Sequence, residues 1–192
     1  MAEKPRILQD GRDLVWTLIP LLLIALVVAG VSGSCSWGFG SSATNQNIPD
    51  FNVSAGLRAD ADTMPFPIRN PAVPADWKPN SGSTQEVGAS VASNVGWITP
   101  DGIYVQLTQS GATEEQLVRK TLGDTANGEG VRQIADHQWV MYAGDEKRRT
   151  WIADMGDVRL AVVSRGNDAD METLAAAVTK AQPLAVERPA PR

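Results

Sequence analysis

The chain of 192 residues contains one histidine and one cysteine, which limits the chemistry that its side chains could perform. His137 follows Asp136, and a histidine beside a carboxylate could act as a general base. However, no recognised motif connects a serine or the cysteine to His137, and adjacent residues of a strand point to opposite faces. We therefore expect His137 to lie at a strand end without a catalytic role. One histidine and one cysteine also exclude an internal disulfide and a zinc site rich in either residue.

Two pairs of nearby carboxylates are the next candidates for acid–base chemistry, Glu114 with Glu115 and Asp168 with Asp170. Both pairs come at the start of a predicted helix, where acidic groups compensate the unpaired amides and the helix dipole. The segment 167–170 lacks the glycine and the distal glutamate of a calcium-binding EF-hand loop. The sequence therefore predicts a non-enzymatic protein with no catalytic residue, no bound metal and no cofactor.

Four tryptophans in the C-terminal region are the main candidates for a binding site. Large aromatic rings could line a pocket for a small apolar ligand or contact a protein partner. In a small domain without disulfides, the same rings also fill the core. The sequence leaves these alternatives open for Trp77, Trp97, Trp139 and Trp151.

The charge distribution argues against a nucleic-acid partner, because the net charge is −5 and no extended basic patch is evident. The one basic triplet, Lys147, Arg148 and Arg149, is expected at the tip of a hairpin. There it could contact lipid headgroups or an acidic partner, or it could form a solvated turn.

An apolar run of 18 residues, 14–31, has Thr17 as its one polar side chain. As a helix it would span roughly 27 Å, close to the ~30 Å hydrocarbon core of a bilayer, and we predict a transmembrane helix over 14–34. Residues 1–13 carry three basic residues, whereas 32–57 carry none. The positive-inside rule therefore predicts a single-pass plasma-membrane protein with a cytoplasmic N-terminus and an extracytoplasmic C-terminal domain.

Two alternatives to a retained anchor remain open around Cys35. Ser32 and Ser34 provide small residues for signal-peptide cleavage before Cys35, although the apolar run exceeds the ~7–15 residues usual in signal peptides. A lipoprotein would carry its lipid on Cys35, although Ser32 occupies the position where such sites usually have leucine.

Small residues recur at a spacing of four within the predicted transmembrane helix, at Ala25, Ala29 and Gly33. This spacing places them on one helical face, where they would let a second membrane helix approach closely. The alternative is that alanine and glycine are merely common in membrane helices. On the first interpretation, the partners are other membrane or envelope proteins.

The chain after the predicted anchor divides by composition. Residues 35–64 are rich in Ser, Gly, Asn, Ala and Asp, show little periodicity and are predicted to form a flexible linker. Residues 65–182 are predicted to form the exported domain, and 183–192 a disordered tail. The predicted organisation is therefore one anchored domain, with residues 1–13 as its cytoplasmic N-terminus.

Local signals within 65–182 predict an α+β fold. Five prolines in 65–79 favour an extended strap, and Thr99-Pro-Asp-Gly102 predicts a hairpin. Thr113 and Gln116 form the capping box of a helix. Short connections between strands imply an antiparallel sheet of about five strands with two covering helices. The predicted strands are 90–98, 103–109, 131–134 with 137–143 as one long or broken strand, 149–154 and 158–164, and the final helix begins at Asp168 or Asp170 and ends at Gln182.

Five segments together carry a resemblance to a known family. They are Gly11-Arg-Asp-Leu14, Pro74-Ala-Asp-Trp77, Gly96-Trp-Ile-Thr-Pro-Asp-Gly-Ile-Tyr-Val105, Gln138-Trp-Val-Met-Tyr142 and Leu174-Ala-Ala-Ala177. Over most of residues 8–182 the chain resembles an actinobacterial family of single-span envelope proteins catalogued only as a domain of unknown function. The resemblance implies an inner-membrane protein with an outward-facing domain, and it transfers no active residue. By element order alone the domain is similar to PsbP- or Mog1-like domains, which is an analogy.

The function expected from these features is that of an accessory or interaction subunit of an inner-membrane or envelope complex. The expectation rests on the predicted anchor, the small-residue face and the lack of a recognisable reactive motif in the sequence. The alternative is an exported binding domain for a lipid or another apolar ligand, which would need a cavity lined by tryptophan rings.

Overall fold

The computed structural model describes residues 18–20, 24 and 51–186. The chain divides into two units, 1–46 and 47–192. Within the described residues, none of the helices has the length and apolar character needed to cross a bilayer. The predicted transmembrane helix lies outside these residues except at 18–20 and 24, which are helical and exposed. The predicted packing face of Ala25, Ala29 and Gly33, as well as Cys35, lies wholly outside them.

Seven strands of the second unit form one antiparallel sheet in the order β1-β2-β3-β7-β6-β5-β4. Two meanders, β1 to β3 and β4 to β7, meet where β3 pairs with β7. The fold is therefore mixed α+β, as predicted. The strands are β1 Lys78–Val87, β2 Ser90–Ile98, β3 Tyr104–Ser110, β4 Asn127–Ile134, β5 His137–Ala143, β6 Arg149–Asp154 and β7 Arg159–Ser164, and the helices are α1 Val53–Thr63, α2 Glu114–Leu122 and α3 Asp168–Lys180, with a short 3₁₀ turn at Asp145–Lys147.

The predicted number of about five strands is too low by two. The strand β1 is mostly exposed and has few β-branched residues, so its sequence alone does not favour a strand. It is an edge strand that forms by pairing with β2. The strands β4 and β5 are separate because Ala135 (φ 48°) and Asp136 (φ 66°) form a two-residue turn between them. Both residues have positive φ, which is typical of a type I′ hairpin turn.

The helix α1 lies in the segment predicted to be a flexible linker. Its N-cap is Asn52, whose side chain accepts from the Ala55 amide at 3.0 Å. Val53, Leu57 and Ala61 recur every four residues and are buried in the core. The linker prediction is therefore wrong from residue 53 onward. The segment is mostly polar and has one narrow apolar stripe, but a helix with such a stripe becomes stable once the stripe packs against a sheet.

Two local predictions are confirmed, the hairpin turn at 99–102 and the capping box at the start of α2. In the turn between β2 and β3, the Gly102 amide donates to the Thr99 carbonyl at 2.9 Å, and Gly102 has φ 76°. The capping box of α2 is complete, because the Thr113 hydroxyl accepts from the Gln116 amide and the Gln116 side chain accepts from the Thr113 amide. Both features are hydrogen bonds between residues three or four positions apart, so they do not depend on tertiary contacts.

The helices α1 and α3 contribute to one apolar core with alternate residues of the sheet, and α2 packs on the opposite face. Three tryptophans in the larger core are almost fully buried, since Trp97, Trp139 and Trp151 are exposed by 1%, 0% and 1%. Trp77 is 7% exposed and anchors the proline-rich strap to the same core.

A polar clasp holds the strap against β3. The side chain of Gln109 is fully buried, its Oε1 accepts from the Arg69 amide at 2.8 Å, and its Nε2 donates to the Arg69 carbonyl at 2.9 Å. The Arg69 side chain also donates to the Ala181 carbonyl just after α3. The Leu184 amide donates to the Ile68 carbonyl at 2.7 Å. The predicted disordered tail therefore begins with residues that are bonded to the domain.

Candidate functional site

The face of the sheet that carries α2 is only partly covered. The apolar contacts of α2 are with small and branched residues of the sheet, including Ala92, Ile152 and Ala161. Beside α2, a cavity of about 470 Å³ opens over β3 and β7. Its volume lies within the ~300–1,000 Å³ that is typical of small-molecule sites. We call this opening the α2-side cavity.

The amide floor of the α2-side cavity consists of two lining residues, Gln85 and Gln106. Both belong to a hydrogen-bonded array that is centred on Asn94 behind the lining. Oδ1 of Asn94, which is 5% exposed, accepts from Thr108 Oγ1 at 2.7 Å and from Gln106 Nε2 at 3.1 Å. Gln85 Nε2 donates to the same oxygen at 3.4 Å. The register brings these side chains together, because Thr108 pairs with Asn94 and Gln85 pairs with Ala92 two residues away. The array therefore holds the side chains of Gln85 and Gln106 in one arrangement.

The ring of Tyr104 lies across β2 beside this array. Its hydroxyl donates to Gln106 Oε1 at 3.2 Å and contacts Ser81 Oγ at 3.0 Å. The ring fits there because residue 96 is glycine, whose added Cβ would lie 2.2 Å from the Tyr104 hydroxyl. Although its hydroxyl is bonded, the Tyr104 side chain remains partly open to solvent, with 37% exposure.

Three cations from three elements line the α2-side cavity. Lys120 lies in the last turn of α2 and has no ion pair within the described part of the chain. Arg148 donates to the Thr121 carbonyl at 3.1 Å, which fixes its guanidinium at the C-terminal end of α2. Arg165 pairs with Glu146 at 2.9 Å, and both side chains are more than half exposed. Of the described residues that line this cavity, none carries a carboxylate.

The predicted basic triplet does not form one patch. Lys147 is exposed in the turn with φ 61°, and Arg148 lines the α2-side cavity. Arg149 belongs to the other face, where it pairs with Asp168 at the start of α3 and donates to the Gly166 carbonyl. Alternation along a strand separates neighbouring side chains, so consecutive basic residues serve different parts of the domain.

The groups that the sequence analysis considered for acid–base chemistry do not form one cluster. The half-buried His137 has Nδ1 3.4 Å from the Ala135 carbonyl at the hairpin turn. Glu115 pairs with Arg119 at 3.0 Å on the surface of α2. At α3, Asp168 pairs with Arg149, and burial together with the charge of Asp101 raises the pKa of Asp170. Within the described residues, no three potential metal ligands cluster.

The remaining candidate carboxylate, Glu114, binds a tyrosine. The Tyr142 hydroxyl donates to Glu114 Oε1 at 2.6 Å. Burial, this hydrogen bond and the Glu114 charge raise the pKa of Tyr142 to about 12. The bond thus joins the first turn of α2 to β5.

This pair predicts a specific loss of stability at alkaline pH. Unfolded Tyr142 ionises near its ordinary pKa of ~10, so between pH ~10 and ~12 the native state binds more protons than the unfolded state. The stability that protonated Tyr142 contributes is complete below this window and is lost as the pH rises through it. We expect the difference in unfolding free energy between the wild type and Tyr142→Phe to shrink from pH 8 to pH 11, measured by urea unfolding. A difference that is equal at both pH values would contradict this assignment.

The four predicted tryptophan contacts belong to the core rather than to the α2-side cavity. Among three cavities in the described part of the chain, one includes a tryptophan: a shallow opening of about 540 Å³ that touches Trp97 beside Phe51 and Asn70. The Trp139 Nε1 atom is buried and has no hydrogen-bond partner among the described residues. Since these rings are almost fully enclosed, they offer little surface to a ligand or partner.

Sequence reasoning singled out Arg148, as part of the basic triplet, but missed the other side chains that line the α2-side cavity. A usable signal exists in β3, where Tyr104, Gln106 and Thr108 alternate with Val105 and Leu107. Period-two alternation predicts one polar and one apolar face. Lys120 and Arg165 have no comparable signal, because only the fold brings them to the same cavity as Arg148.

The sequence model of one family, described as "Protein of unknown function (DUF4245)", matches residues 6–178. No curated protein and no solved structure matches the chain. The match extends from the N-terminal region to within the last two turns of α3, and it confirms the expected resemblance to a family catalogued as a domain of unknown function. The chain therefore belongs to the family described as protein of unknown function (DUF4245).

Proposed function

We propose that this protein is a non-enzymatic, single-pass membrane protein of the actinobacterial envelope. In this proposal its exported domain is an accessory or interaction subunit of an inner-membrane or envelope complex. The apolar run at 14–31 and the excess of basic residues before it support the anchor and its orientation. The spacing of Ala25, Ala29 and Gly33 supports a helix partner in the membrane.

The observation that carries the proposal is the α2-side cavity. Its lining consists of cations, neutral polar side chains and a few apolar groups, and the residues that the structure places there include no histidine, cysteine or carboxylate. Histidine is the commonest general acid or base near neutral pH, and lysine and tyrosine, which are present in this lining, also serve in that role. Fixed amides and cations bind through hydrogen bonds and charge. This composition favours binding over catalysis, and we propose the cavity as the interaction surface.

The alternative, an exported domain that binds a lipid or another apolar ligand, has weaker support. Its candidate residues were the four tryptophans, and these side chains pack in the core. The PsbP- or Mog1-like arrangement suggested by element order stays a prediction, since no solved structure matches the chain.

Purification of the tagged full chain from its native membrane in mild detergent tests the interaction role. We expect a partner at fixed stoichiometry, and we expect Lys120→Glu combined with Arg165→Glu to release it because both substitutions reverse charges at the cavity. The matched control is Lys180→Glu, an exposed lysine in the last turn of α3 as Lys120 is in the last turn of α2. Absence of any stoichiometric partner, or equal retention by all variants, would overturn the role.

Protease treatment of intact, wall-stripped cells tests the orientation. The exported domain should be digested while a cytoplasmic marker survives. Protection of residues 51–186 in intact cells, with digestion after lysis, would overturn the proposed orientation.

A further inference from the structure

We infer that the α2-side cavity binds a phosphorylated sugar or polyol, with the phosphate held by Lys120, Arg148 and Arg165 and the hydroxyls by the amide floor. This inference rests on the proposed binding role of the cavity and names the ligand class. It follows from the charge, hydrogen-bonding capacity and size of the site.

The charge of the cavity favours an anion. Lys120, Arg148 and Arg165 come from α2, from the turn before β6 and from the residue after β7, so the fold gathers like charges that repel one another. Within the described residues, the carboxylate that pairs with one of them is Glu146, which bonds Arg165 at an exposed position. Asp145 and Glu146 line a neighbouring opening with the same three cations and do not line the α2-side cavity. Exposed ion pairs contribute little, about 0–1 kcal/mol, so Arg165 can exchange Glu146 for a ligand at small cost.

The guanidinium of Arg148 is positioned before any ligand arrives. One of its terminal nitrogens donates to the Thr121 carbonyl, which leaves its other N–H groups for an anion. A guanidinium presents a planar set of donors that matches phosphate and carboxylate oxygens. Lys120 supplies a flexible point charge beside it. Together they form a cradle for charge-assisted hydrogen bonds.

The floor of the cavity favours hydroxyl groups on the same ligand. Gln85 uses one N–H toward Asn94, which leaves its second N–H and its carbonyl oxygen available. A sugar hydroxyl both donates and accepts, so it can use both groups of one amide. The partly exposed Tyr104 ring offers an apolar surface to the carbon skeleton of such a ligand.

The volume of the cavity favours an anion that is larger than inorganic phosphate. About 470 Å³ holds much more than a phosphate group, and the lining contains the neutral side chains of Gln85, Gln106 and Ser164 as well as the three cations. An anion with a hydroxyl-bearing body can use both sets of groups, and we expect it to bind more tightly than inorganic phosphate. The same chemistry occurs in a free sugar phosphate and in the headgroup of a glycerol phospholipid.

The test is isothermal titration of the full-length chain in phosphatidylcholine nanodiscs with glucose 6-phosphate, glucose and inorganic phosphate. We expect glucose 6-phosphate to bind at least about tenfold more tightly than inorganic phosphate, and glucose to show no binding. The variants Lys120→Gln and Arg165→Gln should each weaken binding about five- to tenfold, since each removes one charge-assisted contact. The matched control, Lys180→Gln, should change Kd less than twofold.

Nanodiscs containing about a quarter of phosphatidylglycerol distinguish the two sources of the ligand. If the lipid headgroup occupies the cavity, Kd for glucose 6-phosphate rises in these nanodiscs and the rise disappears in Lys120→Gln. If the ligand is a free sugar phosphate, Kd is unchanged by the lipid. Either result supports the inferred chemistry.

The inference is overturned if glucose 6-phosphate does not bind, or if it binds equally to the wild type, Lys120→Gln and Arg165→Gln. These substitutions replace exposed side chains, so urea unfolding should show native stability and exclude loss of the fold. The titration can fail while Lys120→Glu combined with Arg165→Glu still releases a protein partner. In that case the sugar-phosphate inference is wrong and the proposed interaction role remains. If glucose 6-phosphate binds but no stoichiometric partner is found, the inferred ligand class stands and the proposed interaction role fails.

Discussion

Replacing Trp151 by alanine is expected to lower the free energy of unfolding of the domain by about 3–5 kcal/mol. The ring is 1% exposed and lies in the core with α3, and the Arg132 guanidinium lies 4.9 Å from its ring centre. The substitution removes the buried ring and leaves a cavity. It also removes the cation–π contact with Arg132, which adds ~0.5–1 kcal/mol to the loss of unfolding free energy. Urea unfolding of the full chain in a non-ionic detergent, followed by circular dichroism, measures the loss.

The control for Trp151→Ala is Val131→Ala on β4, where the side chain is 57% exposed. Its expected cost is below about 1 kcal/mol, since little apolar surface is lost. A Trp151→Ala protein that keeps nearly wild-type stability but loses binding of an apolar ligand would contradict the core role. That outcome would instead favour the alternative function, because a ring that lines a ligand pocket contributes little to the unliganded fold.

Replacing Gln109 by methionine is expected to lower the free energy of unfolding by about 2–4 kcal/mol. The two side chains are similar in length, but methionine cannot replace the two bonds to the Arg69 backbone. The Arg69 amide and carbonyl would lose their side-chain partners at a part-buried position, and an unsatisfied buried polar group costs ~1–3 kcal/mol. The strap would detach from β3, so urea unfolding should show the loss and limited proteolysis should cleave residues 64–77 faster.

The control for this substitution is Gln133→Met on β4, an exposed glutamine for which no side-chain hydrogen bond is found within the described residues. Its expected effect lies within about 0.5 kcal/mol. If both glutamine variants unfold at the same urea concentration, the clasp does not stabilise the strap. A lower m-value in Gln109→Met would separate a detached strap from a uniformly weakened fold, because less surface would then be buried.

These two substitutions probe the larger core, and neither touches the α2-side cavity. Trp151 and Gln109 point to the face covered by α1 and α3, whereas Gln106 and Thr108 point to the face of α2. Stability and binding can therefore be changed separately, because the alternation of a strand assigns neighbouring residues to different layers.

The local elements of the domain follow from short-range signals in the sequence. The turn at Thr99 to Gly102 and the capping box of Thr113 with Gln116 need only residues within three or four positions, and both occur as predicted. The antiparallel arrangement follows from short connections between strands. The final helix begins at Asp168, one of the two predicted positions, and its N-cap is the side chain of Asn167.

The edge strand β1 and the helix α1 depend on contacts that a local pattern does not contain. The β1 backbone becomes a strand because β2 offers it a ladder of hydrogen-bonding partners, although its residues have low β propensity. The helix α1 has a single buried stripe, which is too little to form a helix alone but enough once Val53, Leu57 and Ala61 pack into the core.

The sequence by itself determined the α+β class, the hairpin turn, the capped helices and the family to which the chain belongs. Tertiary structure alone decided that the tryptophans are core residues, that Arg148 and Arg149 serve opposite faces, and that Lys120 lies near Arg165. The physical reason is the range of the interactions. Turns and caps are hydrogen bonds between near neighbours, whereas the cavity joins charges 45 positions apart through the pairing of β3 with β7 and the packing of α2.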